Sequence, residues 1–283
     1  MSLLGIDIGT TGCKAAAFGE DGSCLATAYR EYPTLHPQPD RSELDSTFVW
    51  NAVKEVIAEA AAATKKDPIT ALCTSSMGEA VVPVSDGREI LGTSILSSDL
   101  RGGDYVEALE EEIPQEEFYR INPNILGPQY SLPKILWTRE HEPELYRKAD
   151  RFLLWGDMVG FMLGCDPLTS YSHANRTLLF DIRREDWSDR LLDWSGIPRS
   201  KLGRTAPGGA VAGEVSREAA TELGLPDGVR VVVGGHDQCC NSLGAGIVEA
   251  GSAVCGIGTF ECITPTYDHI PESGAMLANG LNV

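Results

Sequence analysis

The sequence has little positive charge, since 23 Lys and Arg residues stand against 41 Asp and Glu residues and give a formal net charge of −18. Nucleic acids and anionic membranes are bound through cationic surfaces, so this imbalance argues against both as partners. Apolar runs are short, and none reaches the roughly 18 residues of a membrane-spanning helix. The first residues carry no basic segment and Asp7 interrupts the first apolar run. We therefore expect no signal peptide and a cytoplasmic protein.

The sequence also lacks the spacings that are typical of metal sites. Its eight cysteines include no C-x-x-C pair, so a zinc site is not expected. We expect the cysteines to be free thiols in a reducing compartment. His141, His173 and His236 show no metal-ligand spacing.

Strand and helix patterns are present in alternation. The 283 residues suggest one large domain or about two ordinary ones. Strand patterns occupy residues 3–8, 13–18, 23–31, 69–76, 80–87, 229–235 and 252–258. Helical patterns occupy residues 46–66, with Asp45 as N-cap, most of 103–164, and the small-residue stretch 241–248. Strands, crossover helices and further strands predict an α/β architecture.

The stretch "GIDIGTTG" (residues 5–12) places a carboxylate in an apolar run and a Gly-rich turn directly after it. A dinucleotide fingerprint fails because Asp7 stands where its middle glycine should be, and a P-loop fails because no Gly-Lys pair occurs. A phosphate-binding β-hairpin and an ordinary turn both remain. In the first, Gly9 and Gly12 turn backbone amides toward an anion, and the neighbouring threonines add hydroxyls. A strand carboxylate at Asp7 would then hold Mg²⁺, directly or through water.

Two later stretches place further polar groups beside glycines. In "VVVGGHDQCCNSLGAG", Asp237 follows a buried apolar strand, at the end of a sheet where ligands usually bind. An N-cap of the following helix is an equally good interpretation of Asp237. "GIGTFE" (residues 256–261) repeats the Gly-Thr turn, and is either a second phosphate clamp or a plain turn.

Together these stretches resemble the FGGY carbohydrate kinases. "GIDIGTTGCKAAAF" resembles the family's first phosphate motif, "GGHDQCCNSLGAG" the segment with its catalytic aspartate, and "GIGTFE" its second phosphate motif. "PKILWTREHEPELYRKADRFLL" and "RREDWSDRLLDWSGI" resemble its middle helices. The resemblance implies a ribonuclease H-like, actin-like ATPase domain with a mixed β-sheet flanked by helices. It divides the chain into a sugar-binding domain at 1–245 and the start of a nucleotide-binding domain at 246–283.

The function that the resemblance implies is ATP-dependent phosphorylation of a sugar or polyol hydroxyl, with ATP and Mg²⁺ as cofactors. Asp237 would be the catalytic base, a role for which a nearly unperturbed carboxylate suffices, and Asp7 would be the metal ligand. The implied phosphate contacts are Gly9, Thr10, Thr11, Gly12, Lys14, Gly258 and Thr259. The implied substrate contacts are Met77, Gly78, Glu79, Asp99, Arg101, Asp237 and Gln238. Homodimers are common in this family, so a homodimer is a further expectation.

The chain departs from the family pattern at three points. Met77-Gly78-Glu79 occupies the place where xylulokinase-like members have Met-His and glycerol kinases have Arg-Glu. Ser97 replaces tryptophan in the Trp-Asn-Asp-x-Arg pattern that contains Asp99 and Arg101. Family members are also much longer, with two domains of comparable size. The first two departures bear on which sugar is bound, and the third on whether this chain is active alone.

Other interpretations remain beside the kinase. A non-catalytic sugar-binding module, or a truncated paralogue without kinase activity, fits the short length. An actin-like ATPase without a sugar substrate fits the phosphate motifs but leaves Glu79 and Asp99 unexplained. Asp99 and Arg101 are also explained by a solvated salt bridge in a turn. Ser131 and Lys134 have the S-x-x-K spacing of acyl-enzymes, without any companion motif.

Overall fold

A computed structural model describes residues 1–257, 261–271 and 274–283. Its strands are β1 (Ser2–Ile8), β2 (Gly12–Gly19), β3 (Cys24–Glu31), β4 (Glu43–Leu44), β5 (Ile69–Ser76), β6 (Val81–Val84), β7 (Ser94–Ile95), β8 (Arg151–Leu154), β9 (Leu168–Ser170), β10 (Phe180–Asp181), β11 (Asp186–Trp187), β12 (Arg204–Ala206), β13 (Val211–Glu214), β14 (Arg230–His236), β15 (Ala253–Ile257) and β16 (Glu261–Pro265).

The helices alternate with these strands. They are α1 (Ser46–Ala63), α2 (Gly103–Glu112), α3 (Gln115–Ile121), α4 (Ser131–His141), α5 (Pro143–Lys148), α6 (Trp155–Met162), α7 (Tyr171–Asn175), α8 (Asp189–Ser195), α9 (Arg217–Leu223), α10 (Asp237–Gly244) and α11 (Gly274–Ala278), with a 3₁₀ turn at Arg199–Lys201. Across the described ranges, no helix is both long and apolar enough to cross a membrane.

A six-stranded mixed sheet, in the order β13-β14-β5-β1-β2-β3, forms the centre of the fold. β1, β2 and β3 are antiparallel neighbours, whereas β1, β5 and β14 run parallel. The hairpins need only short turns, while the parallel pairs need crossovers through helices. The first three predicted strands therefore form an antiparallel meander, and the predicted α/β organisation is present.

One face of the sheet is covered and the other is open along β1. Leu4, Ile6 and Ile8 are buried in the same hydrophobic core as residues of α1, which packs on β2 and β3. As predicted, Asp45 caps α1, since its side chain accepts the backbone amides of Thr47 and Phe48. The alternate residues of β1 point the other way, so Leu3 is 52% exposed and Asp7 is exposed. Strand alternation therefore places the Asp7 carboxylate on the open face of the sheet, although it stands in an apolar run.

Two predicted helical segments have different bounds. Residues 151–154 lie within the region 103–164 that was predicted to be mostly helical, but they form β8, which pairs with β6, and the next helix begins only at Trp155. A short apolar run fits a strand and a buried helix equally well, and here pairing with β6 decides between them. The small-residue helix predicted over 241–248 is α10, which begins at Asp237 and ends at Gly244. Asp237 therefore lies inside the helix.

Candidate active site

The carboxyl ends of three parallel strands meet at one edge of the sheet. Ile8 at the end of β1 is level with Ser76 at the end of β5, and Ser76 is level with His236 at the end of β14. The three strands end at the same edge of the sheet, so the turns and loops that follow them lie close together at this edge. This topology brings the hairpin turn after β1, the segment after β5 and the start of α10 together.

A cleft of about 650 Å³ opens at this edge. It is lined by Asp7, Gly9, Ser75, Asp237, Gln238, Cys240, Asn241, Gly256, Ile257 and Cys262. Two carboxylates from distant parts of the sequence thus face one space. Of the predicted site residues, Asp7, Gly9, Asp237 and Gln238 are brought together here.

Asp7 presents its carboxylate on the open face of the sheet. Ser75 Oγ donates a hydrogen bond to Asp7 Oδ1 at 3.0 Å, across the parallel pairing of β1 with β5. Lys14 is level with Asp7 on the antiparallel neighbour β2 and is exposed, so both side chains lie on the same face. An exposed carboxylate beside a hydroxyl is an oxygen site that suits a hard cation.

The turn after β1 uses its glycines for close packing. The Gly9 amide donates to the Gly12 carbonyl at 2.9 Å, so this amide is engaged within the turn. A Cβ at Gly12 would lie 2.6 Å from Tyr29 Oη and 2.7 Å from the Arg30 carbonyl. Glycine is therefore required at position 12 because β3 approaches closely. The backbone angle of Gly12 is not left-handed, so its conformation is not the reason. Exposed Thr10 and Thr11, whose side chains project from the turn, remain the candidate donors to an anion.

Asp237 is the first residue of α10, and His236 occupies the N-cap position. The N-cap interpretation of Asp237 is therefore wrong by one residue. Burial raises the pKa of Asp237 to about 6, and this shift is opposed by the Gln238 amide and reinforced by the negative charges of Asp7 and Glu79. The Asp237 side chain nevertheless remains 36% exposed. A carboxylate near pKa 6 is a competent base at neutral pH.

The segment after β5 contains residues that were predicted to contact substrate. In the structure, these residues interact with other groups of the protein. Met77 is buried and its amide donates to the Ile8 carbonyl at 2.9 Å. Glu79 accepts hydrogen bonds from Arg176, with Nε at 2.8 Å from Oε1. The guanidinium of Arg176 also lies over the Tyr130 ring, at 4.7 Å. A sugar hydroxyl would share Glu79 with this arginine.

Asp99 and Arg101 form a buried cluster rather than a solvated salt bridge. Asp99 is 0% exposed and accepts hydrogen bonds from the Ser42 amide at 2.8 Å and from Arg101 Nη2 at 2.6 Å. Arg101 Nη2 also contacts Glu43 at 2.7 Å, and Lys134 Nζ lies 3.8 Å from Asp99. Burial would raise the pKa of Asp99, but the hydrogen bonds from Arg101 and Ser42 hold it below its usual value. A hydroxyl could reach Asp99 only by displacing these donors.

The remaining predictions concern the second phosphate motif. Gly258 and Thr259 lie outside the described residues. Their neighbours Gly256 and Ile257 line the cleft.

Sequence reasoning missed three groups of this site: Ser75, Asn241 and Arg176. Once β1 and β5 are recognised as paired strands, the register and strand alternation place Ser75 beside Asp7, so the sequence contained a signal for it. Arg176 is 97 residues from Glu79 and carries no local signal.

A family model matches most of the chain. The FGGY family of carbohydrate kinases, N-terminal domain, matches residues 2–244. The chain belongs to this family. Xylulose kinase of Bacillus subtilis (strain 168) is 30% identical over 260 residues, which cover 91% of this chain and 52% of the relative. Xylulose kinase of Escherichia coli (strain K12) is 28% identical over 256 residues, which cover 90% and 52%.

The solved structures agree with the fold. The crystal structure of xylulose kinase from Rhodospirillum rubrum is matched with a TM-score of 0.85 and 28% identity, over 89% of this chain and 52% of that one. This match confirms the predicted actin-like α/β fold class. The FGGY chain spans about half the length of the curated relatives it matches.

Proposed function

We propose that the full-length protein transfers a phosphoryl group from ATP to a hydroxyl of a sugar or polyol. The observation that supports this most directly is the shared cleft, in which Asp7 from β1 and Asp237 from α10 face the same space beside the β1–β2 turn. Phosphoryl transfer depends chiefly on positioning and on neutralising negative charge, and two separate carboxylates serve these two tasks.

Asp237 is the proposed catalytic base. Its carboxylate would accept a hydrogen bond from the attacking hydroxyl, orient it toward the phosphoryl group and take its proton as the new bond forms. The pKa of about 6 leaves Asp237 largely ionised at neutral pH while keeping it more basic than a free aspartate. Gln238 lies next to it in the cleft and is available to a neighbouring hydroxyl.

Asp7 is the proposed metal-holding residue, with Ser75 beside it. Among the described residues, no group of three or more His, Cys, Asp or Glu side chains is arranged to hold a metal ion. A single exposed carboxylate nevertheless fits Mg²⁺, which proteins often hold through one or two carboxylates together with waters and substrate phosphates. When bound, Mg²⁺ with ATP supplies neutralisation of the phosphate charge, which the acidic chain itself does not offer.

Asp237→Asn in the full-length protein tests the base. The amide keeps the shape of the side chain but cannot take the proton, so turnover should fall at least about a hundredfold with sugar binding little changed. Asp189→Asn is the matched control, because Asp189 is also the first residue of a helix but is exposed and is not among the residues that line the cleft. Steady-state kinetics with a panel of sugars and polyols give both parameters. Near wild-type turnover in Asp237→Asn would remove Asp237 as the base.

A further inference from the structure

The carboxylate of Glu79 is bound by the protein through only one of its two oxygens. Arg176 Nε donates to Oε1 at 2.8 Å, and Arg176 Nη2 donates to the same oxygen. Within residues 1–257, 261–271 and 274–283, no protein group donates to Oε2 of Glu79. Oε2 is also not one of the polar atoms that are both fully buried and without a partner. It therefore keeps contact with open space and is available to a ligand.

The guanidinium that holds this carboxylate is itself fixed from two sides. It lies over the Tyr130 ring at 4.7 Å, and Arg176 Nη1 donates to Asn124 Oδ1 at 3.2 Å. Asn124 is 0% exposed, and its Nδ2 donates to Asn122 Oδ1 at 2.7 Å and to the Asn175 carbonyl at 3.0 Å. This buried amide network sets the position of the guanidinium, and through it the orientation of the carboxylate.

The Glu79–Arg176 pair lies next to the proposed base. A Cβ built on Gly78 would lie 2.7 Å from the His236 ring and 3.1 Å from Arg176 Cγ. The segment that contains Glu79 and the segment that contains Asp237 therefore meet at Gly78. The two members of the pair also act on Asp237, whose pKa is raised by the negative charge of Glu79 and lowered by the positive charge of Arg176.

The charges at this place favour hydroxyl groups over a carboxylate. Ionised Glu79 and Asp237 only accept hydrogen bonds, and a hydroxyl can donate to each. Arg176, the positive charge that acts on Asp237, is already paired with Glu79. The carboxylate of a sugar acid has no proton to donate at neutral pH and would be repelled by both side chains.

We propose that Arg176 is a positioning residue, which holds Oε1 of Glu79 so that Oε2 accepts a substrate hydroxyl beside the one that Asp237 receives. This subsite selects a substrate whose bound end carries hydroxyl groups rather than a carboxylate. The proposal rests on the proposed function in that Asp237 receives the attacking hydroxyl. It adds the residue that orients Glu79 and the charge of the substrate at this end.

Matched pairs of ligands test the selection by charge. Xylitol and xylonate, glucitol and gluconate, and glycerol and glycerate differ at one end, where a hydroxymethyl group is replaced by a carboxylate. In calorimetry with the full-length protein, each acid should bind at least about tenfold more weakly than its polyol, because like charges brought together are costly. Glu79→Gln should reduce this difference. An acid that binds as tightly as its polyol would overturn the selection.

The same ligands separate this proposal from the proposed function. Preferential binding of the polyols without any turnover would remove the kinase activity and leave the subsite in place. Turnover with a preference for the acids would support the kinase activity and contradict the subsite.

Substitutions of Arg176 test its positioning role. Arg176→Met keeps much of the stem but has neither charge nor donors. In the full-length protein, KM for the best sugar or polyol should rise at least about tenfold while kcat falls less than about threefold, as expected when binding is lost equally from ground and transition states. Arg176→Lys restores a positive charge without the planar donor pair, so it should recover part of the affinity. An unchanged KM in Arg176→Met would contradict the role.

Two further variants separate positioning from packing. Arg88→Met is the matched control, because the Arg88 guanidinium also lies over a ring, that of Phe161 at 4.7 Å, and donates to the Gly164 carbonyl at 3.0 Å, but does not line the cleft. It should leave KM unchanged. Glu79→Gln can still accept from Arg176 through Oε1 and replaces only Oε2, so it should raise KM even if Arg176→Met fails to fold. A wild-type KM in Glu79→Gln, or an equal rise in Arg88→Met, would contradict the proposal.

Discussion

Asp237 and Asp99 were both predicted to contact substrate, and the structure surrounds them very differently. Asp237 faces the cleft, is 36% exposed and has a raised pKa. Asp99 is fully buried, has a lowered pKa and accepts hydrogen bonds from both the backbone and Arg101. The first carboxylate has few protein donors, and the second has many.

The difference shows that the number of protein donors decides what a carboxylate can do. A buried carboxylate must have its charge and lone pairs satisfied by the protein, and it then has little capacity left for a ligand. A carboxylate that lacks donors keeps a raised pKa, which is costly to the fold and useful for proton transfer. Asp99 is therefore expected to contribute mainly to stability, and Asp237 mainly to chemistry.

The largest expected effect is on stability, from Asp99→Ala. Removing Asp99 leaves the buried charge of Lys134 without its carboxylate and leaves Arg101 with Glu43 as its remaining partner, so the free energy of unfolding should fall by about 3–5 kcal/mol. Urea denaturation monitored by tryptophan fluorescence measures it. Glu144→Ala is the control, because Glu144 pairs with Arg147 in an exposed position and should change stability by less than about 0.5 kcal/mol. If Asp99→Ala lowered the free energy of unfolding no more than the control does, the proposed contribution of Asp99 to stability would be contradicted.

The next effect is on the pH dependence of activity. Asp237 must be ionised to act as a base, and its pKa is raised to about 6. In the full-length protein, kcat/KM should therefore be level at neutral pH and fall as pH drops through about 6, approaching tenfold per pH unit. A profile that is flat down to pH 4.5 would show that no group with this pKa is required.

Much of this fold follows from local sequence signals. The hairpin strands β1, β2 and β3 alternate in burial and are joined by Gly-rich turns, and α1 begins at a side chain that caps it. The convergence of Asp7 and Asp237 also follows once both are placed beside the ends of parallel strands. Such features depend on neighbouring residues and on simple topology, so a single sequence contains them.

The environment of each carboxylate could not be predicted in the same way. Asp99 lies 57 residues from Ser42 and 35 from Lys134, and no periodicity links such positions. An Asp-x-Arg pattern looks the same whether it is solvated or buried. The contact of His236 with Gly78 is equally non-local. A Cβ at Gly78 would lie 2.7 Å from the His236 ring, and nothing near Gly78 in the sequence indicates that this ring is there.

A smaller effect of opposite sign is expected for the stability of Asp237→Asn. The pKa of Asp237 is raised on folding, so its contribution to stability is present below the unfolded pKa near 3.8 and is lost as pH rises through about 6. Asparagine avoids this loss, so the variant should be more stable than wild type at pH 7 by about 1 kcal/mol, with partial exposure limiting the gain. The gain should vanish below pH 4. Thermal unfolding at both pH values checks it, and destabilisation at pH 7 would contradict it.

The smallest effect on stability is expected for Asp7→Ala. Asp7 is exposed and accepts one hydrogen bond, from Ser75, so its loss should change the free energy of unfolding by no more than about 0.5 kcal/mol. In metal-free protein the negative charge of Asp7 helps to raise the pKa of Asp237, so this pKa should lie lower in Asp7→Ala. A pH titration of the Asp237 carboxyl ¹³C signal in metal-free protein measures it. Glu20→Ala, which removes an exposed charge of the same sign elsewhere, should leave the Asp237 pKa in place. An unmoved Asp237 pKa in Asp7→Ala would mean that the two cleft carboxylates do not sense each other.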